Sequence, residues 1–293
     1  MSTSSEHNVR IVTDSACDIT PDEARMLDID VLPLKTVFSD GDYRDGIDLT
    51  ASEFFDKLIE TGEMPSTCQV APFAFEEAFL AALANGQDVV CVSLSSKLSG
   101  TIQSAHIAWQ GLDADKQARI HIVDTENVTI GEQLLVRLAV RLRDEGLNAQ
   151  EIVSEIEKQR DNVRVVALLD TLEYLKKGGR ISSGAALAGS LLSIKPVICV
   201  EDGLVKVIGK ARGSKNGQNQ LVKAIERYGG VDASMPFRLA YSGLSDQLLK
   251  KYWNDNRHLY TGWEGEPPVT SIGAVIGTHV GPGAIAVSFF SKN

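Results

Sequence analysis

The feature that most constrains the fold is a nearly continuous apolar run at 88–94, which leads directly into small hydroxyl residues and a glycine at 95–101. Such a run is typical of a strand buried on both faces of a parallel sheet. Two further runs, at 9–13 and 120–123, also end in small acidic or hydroxyl residues. Because helical patterns separate the three runs, the first half predicts an α/β sheet with right-handed crossovers.

Capping residues mark where helices begin in this half. Thr20 and Glu23 have the spacing of a capping box, and Pro21 suits the first helical position. Thr50 and Glu53 repeat the same spacing. Further helical patterns lie at 73–83, 132–142 and 150–159.

The second half adds antiparallel pairing. Apolar runs at 196–200 and 204–208 flank Glu201-Asp202-Gly203, which is a strong signal for a β-hairpin. Other strand patterns lie at 163–169, 237–241 and 284–290. We therefore expect two α/β domains, 1–162 with a mostly parallel, Rossmann-like sheet and 163–293 with a mixed sheet.

Composition excludes several classes of protein. The chain has 29 Lys and Arg against 39 Asp and Glu, and this net charge of −10 argues against nucleic acid as the main partner. No apolar run reaches the roughly 20 residues that span a bilayer, and residues 1–8 lack the apolar stretch of a signal peptide. The four cysteines are scattered, so we expect reduced thiols, a cytoplasmic location and neither a metal nor a cofactor.

Two segments are candidates for a ligand site. The first is 95–101, where hydroxyls and backbone N–H groups at a helix start suit an anion such as a carboxylate. The alternative is that Ser99 or Thr101 simply caps the helix. The second is the glycine-rich loop 277–283, in which His279 can donate a hydrogen bond to a carboxylate or take part in proton transfer. The alternative there is a turn histidine bonded to nearby backbone.

Seven short motifs are distributed along almost the whole chain. They are V-T-D-S-A-C-D at 12–18, S-T-C-Q at 66–69 in a predicted loop at 65–72, L-S-S-K-L-S-G-T at 94–101, V-D-T at 123–125, L-K-K-G-G-R at 175–180, K-A-R-G at 210–213 and T-H-V-G-P-G at 278–283. In this order, the motifs resemble the DegV family of bacterial fatty-acid-binding proteins, which includes the FakB subunits of fatty acid kinase. Each motif alone is weak, whereas the ordered set is specific.

The resemblance implies a two-domain α/β protein that holds one long-chain fatty acid, with the tail buried and the carboxylate between the domains. It implies that Thr67 and Ser96 hydrogen-bond the carboxylate, with His279 nearby, and that the fatty acid is bound without a cofactor. The family usually has Thr-Ser-Gln where this chain has a cysteine at the middle position. Because a thiol is a poor hydrogen-bond donor, we expect no polar role for Cys68.

In FakB-like members a separate kinase phosphorylates the bound acid to an acyl-phosphate, so the resemblance implies a carrier rather than a catalyst. Four basic residues match positions that suit kinase docking, namely Lys176, Lys177, Arg180 and Arg212. The alternative is that the two arginines are simply exposed on turns.

Two other functions are open at this point. One is an acyl-transfer or hydrolytic enzyme that uses Ser96 or Ser99 with His279. Against it, the sequence lacks a G-x-S-x-G elbow and an evident third member of a triad. The other is a regulatory protein that senses fatty acid without a kinase partner.

Overall fold

The computed structural model describes residues 8–181, 194–232 and 234–292. The strands are β1 (Val9–Asp14), β2 (Asp30–Leu32), β3 (Lys35–Phe38), β4 (Gly41–Arg44), β5 (Ser66–Cys68), β6 (Asp88–Ser93), β7 (Ile120–Asp124), β8 (Val163–Leu168), β9 (Ile194–Glu201), β10 (Leu204–Arg212), β11 (Phe237–Tyr241), β12 (Val269–Ser271) and β13 (Ile285–Phe290). The α-helices are α1 (Pro21–Leu27), α2 (Ala51–Thr61), α3 (Pro72–Ala84), α4 (Thr101–Gln110), α5 (Ala114–Gln117), α6 (Ile130–Asp144), α7 (Ala149–Arg160), α8 (Glu173–Lys177), α9 (Ser214–Arg227), α10 (Gln247–Asn256) and α11 (Ala274–Val280). Among these described helices, none combines the length and the apolarity that a membrane crossing requires.

The first sheet is parallel throughout and has the order β2-β1-β6-β7. Its central strands β1 and β6 are buried along almost their whole length, which explains their nearly continuous apolar sequence. The crossover from β6 to β7 passes through α4 and α5. The predicted parallel α/β arrangement of the first half is therefore confirmed.

The second large sheet is mixed and has the order β10-β9-β8-β13-β11-β12. Of its described strand pairs, β11 with β12 is parallel, and the others are antiparallel. The turn between β9 and β10 consists of Asp202 and Gly203, with φ of 53° and 72°. Positive φ at both central residues is what a type I′ hairpin turn requires, so the predicted hairpin and the mixed sheet are both confirmed.

The two large sheets divide the chain at residue 163, and yet they share a core. All described strands of the parallel sheet precede this residue, and all described strands of the mixed sheet follow it. One apolar cluster nevertheless contains Phe75 of α3, Ile130 of α6 and Ala286 of β13. The boundary near residue 162 stays a prediction, because packed side chains connect the two halves.

The segment 65–72, predicted as a loop, contains a short strand. Residues Ser66–Cys68 form β5, which lies at the edge of a small antiparallel sheet of order β4-β3-β5. Within it, Thr67 lies opposite Thr36 of β3. The loop prediction was wrong here because three residues are too few to show the alternation that marks a strand.

The glycine-rich segment 277–283 was also predicted as a loop, but its first residues belong to helix α11, whose C-cap is Gly281. Gly277 packs against α2, where an added Cβ would lie 2.7 Å from a ring carbon of Phe54 and 2.9 Å from one of Phe55. A short segment rich in glycine and β-branched residues has a weak helix propensity. Packing against α2 and the rest of the core stabilises this helix, and no local pattern signals it.

The buried side of α6 carries a carboxyl group. Glu132 is fully buried, and its Oε1 atom accepts a hydrogen bond of 3.3 Å from Thr13 Oγ1. Burial raises the pKa of Glu132 well above its ordinary value of 4.5, and the charges of Asp14 and Asp18 raise it further. The folded protein therefore keeps this proton to a higher pH than the unfolded chain does.

We predict that Glu132→Gln flattens the pH dependence of stability. A carboxyl whose pKa is raised by folding contributes stability that is complete below its unfolded value of 4.5 and is lost as the pH rises toward the folded value. The loss amounts to about 1.4 kcal/mol per pH unit for one group. Glutamine has a similar shape and no proton to lose, so the free energy of unfolding should fall less steeply in the variant.

Chemical denaturation between about pH 5 and about pH 8 measures this difference in slope. The matched control is Glu157→Gln, which makes the same change at an exposed position of α7 and should leave the wild-type slope unchanged. Equal slopes in the wild type and Glu132→Gln would contradict the prediction.

Candidate functional site

A narrow apolar cavity lies between the mixed sheet and the parts of the N-terminal half that face it. Its volume is about 80 Å³. The apolar residues that line it are Leu34, Leu94, Leu98, Val128, Val165, Ala167, Leu169, Leu175, Ile198, Val200, Val205, Ile272, Val275, Ile276, Val280, Ala284 and Ala286. A lining of this kind suits a hydrocarbon chain, whose transfer out of water is favourable.

The mixed sheet forms one wall of this cavity. Val165 and Ala167 of β8 both line it, because residues two apart in a strand point to the same face. They lie opposite Val200 and Ile198 of the neighbouring strand β9. On the other side of β8, Ala286 of β13 lies opposite Ala167. Small and β-branched side chains on three adjacent strands thus produce a continuous apolar surface.

A hydrogen bond between the two halves of the chain lies at the polar part of the cavity. Thr67 Oγ1 and His279 Nε2 are 3.1 Å apart, and both residues line the cavity. Strand β5 carries Thr67 and the last turn of α11 carries His279, so the bond joins residues 212 positions apart. The neighbouring Cys68 is exposed and has a free thiol.

His279 is neutral at physiological pH. Burial lowers its pKa from 6.5 to about 4, and the positive charge of Arg180 contributes to the shift. Its Nδ1 atom is buried and has no hydrogen-bond partner among the described residues. A neutral imidazole offers one donor and one acceptor. His279 can therefore hydrogen-bond the polar end of a ligand, but it contributes no positive charge to the site.

Arg180 supplies a positive charge at the same place. Its side chain is half-buried and lines the cavity. The guanidinium donates from Nε to the Leu98 carbonyl at 3.1 Å and from Nη1 to the Gly178 carbonyl at 2.7 Å. Among the ion pairs between described residues, none involves Arg180. Its charge is therefore held in place by carbonyl groups and is not neutralised by a described carboxylate.

The two candidate serines lie in different environments. Ser99 lines the cavity, and its Oγ atom accepts a hydrogen bond of 3.2 Å from the Thr101 N–H group, so it also helps to begin α4. Ser96 is exposed and is absent from the described lining, and its backbone N–H group donates to the carboxylate of Asp124 at 3.3 Å. The structure thus brings Thr67, His279 and Ser99 to the cavity. A role for Ser96 at a carboxylate stays a prediction.

A contact between two motifs explains the glycine at position 100. A Cβ atom on Gly100 would lie 2.2 Å from Oε1 of Gln69, so any other residue would force the end of this side chain to move. Gln69 Nε2 also donates to Ser104 Oγ at 2.8 Å, which connects the end of β5 to α4. The contact between the segment 67–69 and Gly100 of the loop 95–100, which we call the serine loop, is therefore structural. It holds Thr67 beside the loop that carries Ser99.

The serine loop also contacts the mixed sheet. Ser95 Oγ donates to the Gly203 carbonyl at 2.8 Å, and Lys97 Nζ donates to the Asp202 carbonyl at 2.7 Å. Both acceptors lie in the β9–β10 turn. No signal in the sequence reveals these contacts, because they connect residues more than 100 positions apart.

The four residues predicted for partner docking are not joined to one another by the hydrogen bonds and ion pairs of the described residues. Lys176 and Lys177 are exposed at the end of α8, and Lys177 pairs with Glu173 at 2.6 Å. Arg212 is exposed at the end of β10. Arg180 differs from the other three, because it alone of the four is among the described residues that line the cavity. A docking role for the set stays a prediction.

The geometry differs from that of a serine hydrolase. Among the described residues, no hydrogen bond joins His279 to Ser96 or Ser99, and its Nε2 atom is bonded to Thr67 instead. In a triad the second ring nitrogen is oriented by a carboxylate, whereas Nδ1 of His279 has no described partner. The described residues also contain no group of three or more His, Cys, Asp or Glu placed to hold a metal ion.

Sequence comparison identifies the family. The profile of a family described as "Uncharacterised protein, DegV family" matches residues 8–292. The chain belongs to the DegV family. A DegV domain-containing protein of Caldanaerobacter subterraneus is 35% identical over 289 residues, which cover 97% of this chain and 99% of that relative.

Solved DegV structures have the same fold. A DegV family protein from Thermus thermophilus, described by its fatty acid binding, has a TM-score of 0.85 and 33% identity, with 97% of this chain and 100% of that chain covered. DegV from Bacillus subtilis, described as a fatty acid binding protein, has a TM-score of 0.82 and 28% identity, with 98% and 100% covered. The predicted DegV fold is therefore confirmed.

Replacing Arg180 by glutamine should raise the pKa of His279. The positive charge of Arg180 disfavours the imidazolium form, so its removal makes protonation easier. Burial is the larger cause and is unchanged, so the pKa should still lie below the ordinary 6.5. Nuclear magnetic resonance of the imidazole nitrogens during a pH titration measures the value, which is about 4 in the wild type.

The control is Lys177→Gln, which removes the same charge at an exposed position outside the described lining. It should leave the titration of His279 unchanged. A His279 pKa that is identical in the wild type and in Arg180→Gln would be incompatible with a guanidinium held beside the imidazole.

Proposed function

We propose that this DegV protein binds one long-chain fatty acid, with the tail in the apolar cavity and the carboxylate beside Thr67, Ser99, Arg180 and His279. The observation that carries the proposal is that these four polar lining residues are connected. Thr67 is hydrogen-bonded to His279, the charge of Arg180 acts on His279, and Arg180 is bonded to the carbonyl adjacent to Ser99. The fatty acid binding described for the Thermus and Bacillus proteins supports it.

The apolar tail supplies most of the affinity. Each methylene group that moves from water into an apolar environment contributes about 0.8 kcal/mol, or about fourfold in affinity. The wall formed by β8, β9 and β13 offers only apolar contacts to the hydrocarbon tail of the ligand. Tail burial therefore drives binding, and the polar residues determine which end of the ligand enters which end of the cavity.

The head group needs donors, because a buried carboxylate without hydrogen bonds is strongly unfavourable. We assign the proton of neutral His279 to Nε2, from which it donates to Thr67 Oγ1. The Thr67 hydroxyl proton is then free to point at a carboxylate oxygen. Arg180 supplies the compensating charge, and the Ser99 hydroxyl is a second neutral donor. This arrangement selects a carboxylate over an uncharged ester or alcohol.

We propose further that a separate kinase phosphorylates the bound acid to an acyl-phosphate, with the protein acting as the carrier. In the proposed complex the carboxylate lies near Arg180, whose positive charge suits the phosphate group that is transferred to the carboxylate. The exposed Lys176, Lys177 and Arg212 are basic residues on an acidic protein and suit an acidic surface on such a partner. Because such a kinase uses ATP, we propose that both proteins are located in the cytoplasm.

Substitution of the serines decides which hydroxyl faces the carboxylate. Ser99→Ala and Thr67→Val each remove one donor from the cavity, so each should weaken binding of palmitate by about 10- to 150-fold, which corresponds to one hydrogen bond to a charged group. Ser96→Ala is the matched variant from the same loop and should retain wild-type affinity. Displacement of a fluorescent fatty acid measures all three.

A weaker palmitate affinity in Ser96→Ala, together with an unchanged one in Ser99→Ala, would reverse the assignment in favour of Ser96. Unchanged affinity in the double variant Thr67→Val, Ser99→Ala would remove both residues from the head-group site. Thermal unfolding of each variant confirms that the comparison is made between folded proteins.

The carrier role predicts that the palmitate-loaded protein supports formation of acyl-phosphate when it is mixed with ATP and a bacterial fatty acid kinase. Replacing both Lys176 and Lys177 by glutamate should slow the reaction at low salt while palmitate affinity stays unchanged, because both residues lie outside the described cavity lining. If the kinase is active on its own carrier and yields no product here, the protein binds fatty acid without this partner.

A further inference from the structure

The N-terminal end of helix α11 is held by two carboxyl groups from the other half of the chain. Asp18 Oδ1 accepts a hydrogen bond of 2.8 Å from the Gly273 N–H group, across 255 positions of sequence. Asp45 Oδ1 accepts one of 2.9 Å from Ala274 N–H, across 229 positions. The N-cap residue of α11 is Gly273, which has no side chain with which to cap the helix. Distant carboxyls therefore satisfy N–H groups that a helix end otherwise leaves free.

Gly273 shows how closely the two carboxyls converge. A Cβ atom at this position would lie 3.1 Å from Oδ1 of Asp18 and 3.1 Å from Oδ1 of Asp45. Both aspartates are buried, with 6% and 5% of their surface exposed. This end of the helix has little freedom to move, because a shift along its axis breaks both hydrogen bonds at once.

The same carboxyls also hold residues that line the cavity. Asp18 Oδ2 accepts a hydrogen bond of 2.5 Å from Thr129 Oγ1, and Thr129 lines the cavity with a φ of 53°, which is strained for a β-branched residue. Asp45 Oδ2 accepts one of 2.9 Å from Ser15 Oγ. Ser15 Oγ in turn accepts one of 3.0 Å from the N–H group of Leu34, another lining residue.

This network reaches both partners of the hydrogen bond at the polar part of the cavity. Leu34 immediately precedes β3, and Thr36 of β3 lies opposite Thr67 of β5. His279 lies in the last turn of α11, at the end opposite the aspartates. A helix of seven residues is about 10 Å long, so a displacement at one end is transmitted to the other.

We infer that Asp18 and Asp45 are positioning residues of the head-group site, which fix the start of α11 and thereby set His279 against Thr67. Packing of Gly277 on Phe54 and Phe55 fixes the helix sideways, and the two aspartates fix it along its axis. The inference rests on the proposed function for the identity of the ligand, but its geometric part does not depend on that ligand.

The protonation of Asp18 supports the choice of variants. Burial raises its pKa to about 8, and the charge of the neighbouring Asp45 also raises it. The other titratable groups that interact with Asp18 are Glu132 and Cys17. Among the described residues, no positively charged group contributes to the change in the pKa of Asp18. Asp18 is therefore mostly protonated at pH 7, and asparagine resembles it in both shape and charge.

The test compares asparagine with alanine at both positions in the full chain. Asp18→Ala and Asp45→Ala remove the acceptors for the helix N–H groups, whereas Asp18→Asn and Asp45→Asn keep an oxygen there. Glu132→Gln is the control, because it alters a buried acid for which no hydrogen bond to α11 is described. Two readouts are used, namely the affinity for palmitate and, without ligand, the imidazole signals of His279 in nuclear magnetic resonance spectra.

We expect each alanine variant to bind palmitate about tenfold or more weakly and to shift the His279 signals, because the bond to Thr67 is lost. The asparagine variants should stay within about threefold of the wild type and keep its His279 signals, and Glu132→Gln should do the same. Folded alanine variants with wild-type affinity and wild-type His279 signals would overturn the inference.

A measurement on the wild type serves if an alanine variant does not fold. Because coupling between two sites is reciprocal, palmitate at the His279 end should slow hydrogen exchange of the Gly273 and Ala274 amides at the other end of α11. Exchange that is unchanged at these amides, while the His279 signals respond to palmitate, would also overturn the inference. A wild type that does not bind palmitate would refute the proposed function, and the ligand-free His279 signals of the variants would still decide the geometric part.

Discussion

The hydrogen bond between Thr67 and His279 is the contact on which the polar part of the cavity depends. It joins an edge strand of the small N-terminal sheet to a short helix of the C-terminal half, and neither element has a strong local preference for its conformation. Thr67 is held by pairing with β3, and His279 is held by the packing of Gly277 on α2. The bond therefore forms only when the two halves are correctly assembled. A carboxylate bound beside it would contact both halves.

If an acidic protein is to take up an anion, as we propose, the electrostatics at the site must differ from the overall charge. The net charge of −10 repels a carboxylate at long range, although salt screens most of that repulsion beyond about 8 Å. Inside the cavity the balance is different, because Arg180 is half-buried and pairs with no described carboxylate. His279 is kept neutral by its own burial, so in the proposed complex Arg180 supplies a charge and His279 supplies a hydrogen bond. In the proposed complex, the apolar tail provides the affinity that the head group alone does not.

Buried acids are costly, and this protein has several near the junction of its halves. Burial raises the pKa of Asp14, Asp18, Asp45 and Glu132, so each lowers stability as the pH rises. Hydrophobic residues of similar volume would avoid this cost. A carboxyl group, however, can form two hydrogen bonds at once. Asp18 and Asp45 use one oxygen for a helix N–H group and the other for a hydroxyl, and in this way they join three segments at a single point.

The sequence by itself determined the elements with strong local signals. The capping boxes at Thr20 and Thr50, the buried strand β6 and the type I′ turn at Asp202-Gly203 all lie where the pattern predicts, because each depends on residues within a few positions of one another. The family, and with it the fold, also followed from the ordered motifs. Only the tertiary structure decided which serine of the loop faces the cavity, that His279 lies on a helix, and that Asp18 and Asp45 meet at its start. The physical reason is that these features depend on contacts across as many as 255 positions, where helix α11 and strand β5 are stabilised by packing and distant hydrogen bonds, which local propensity does not reveal.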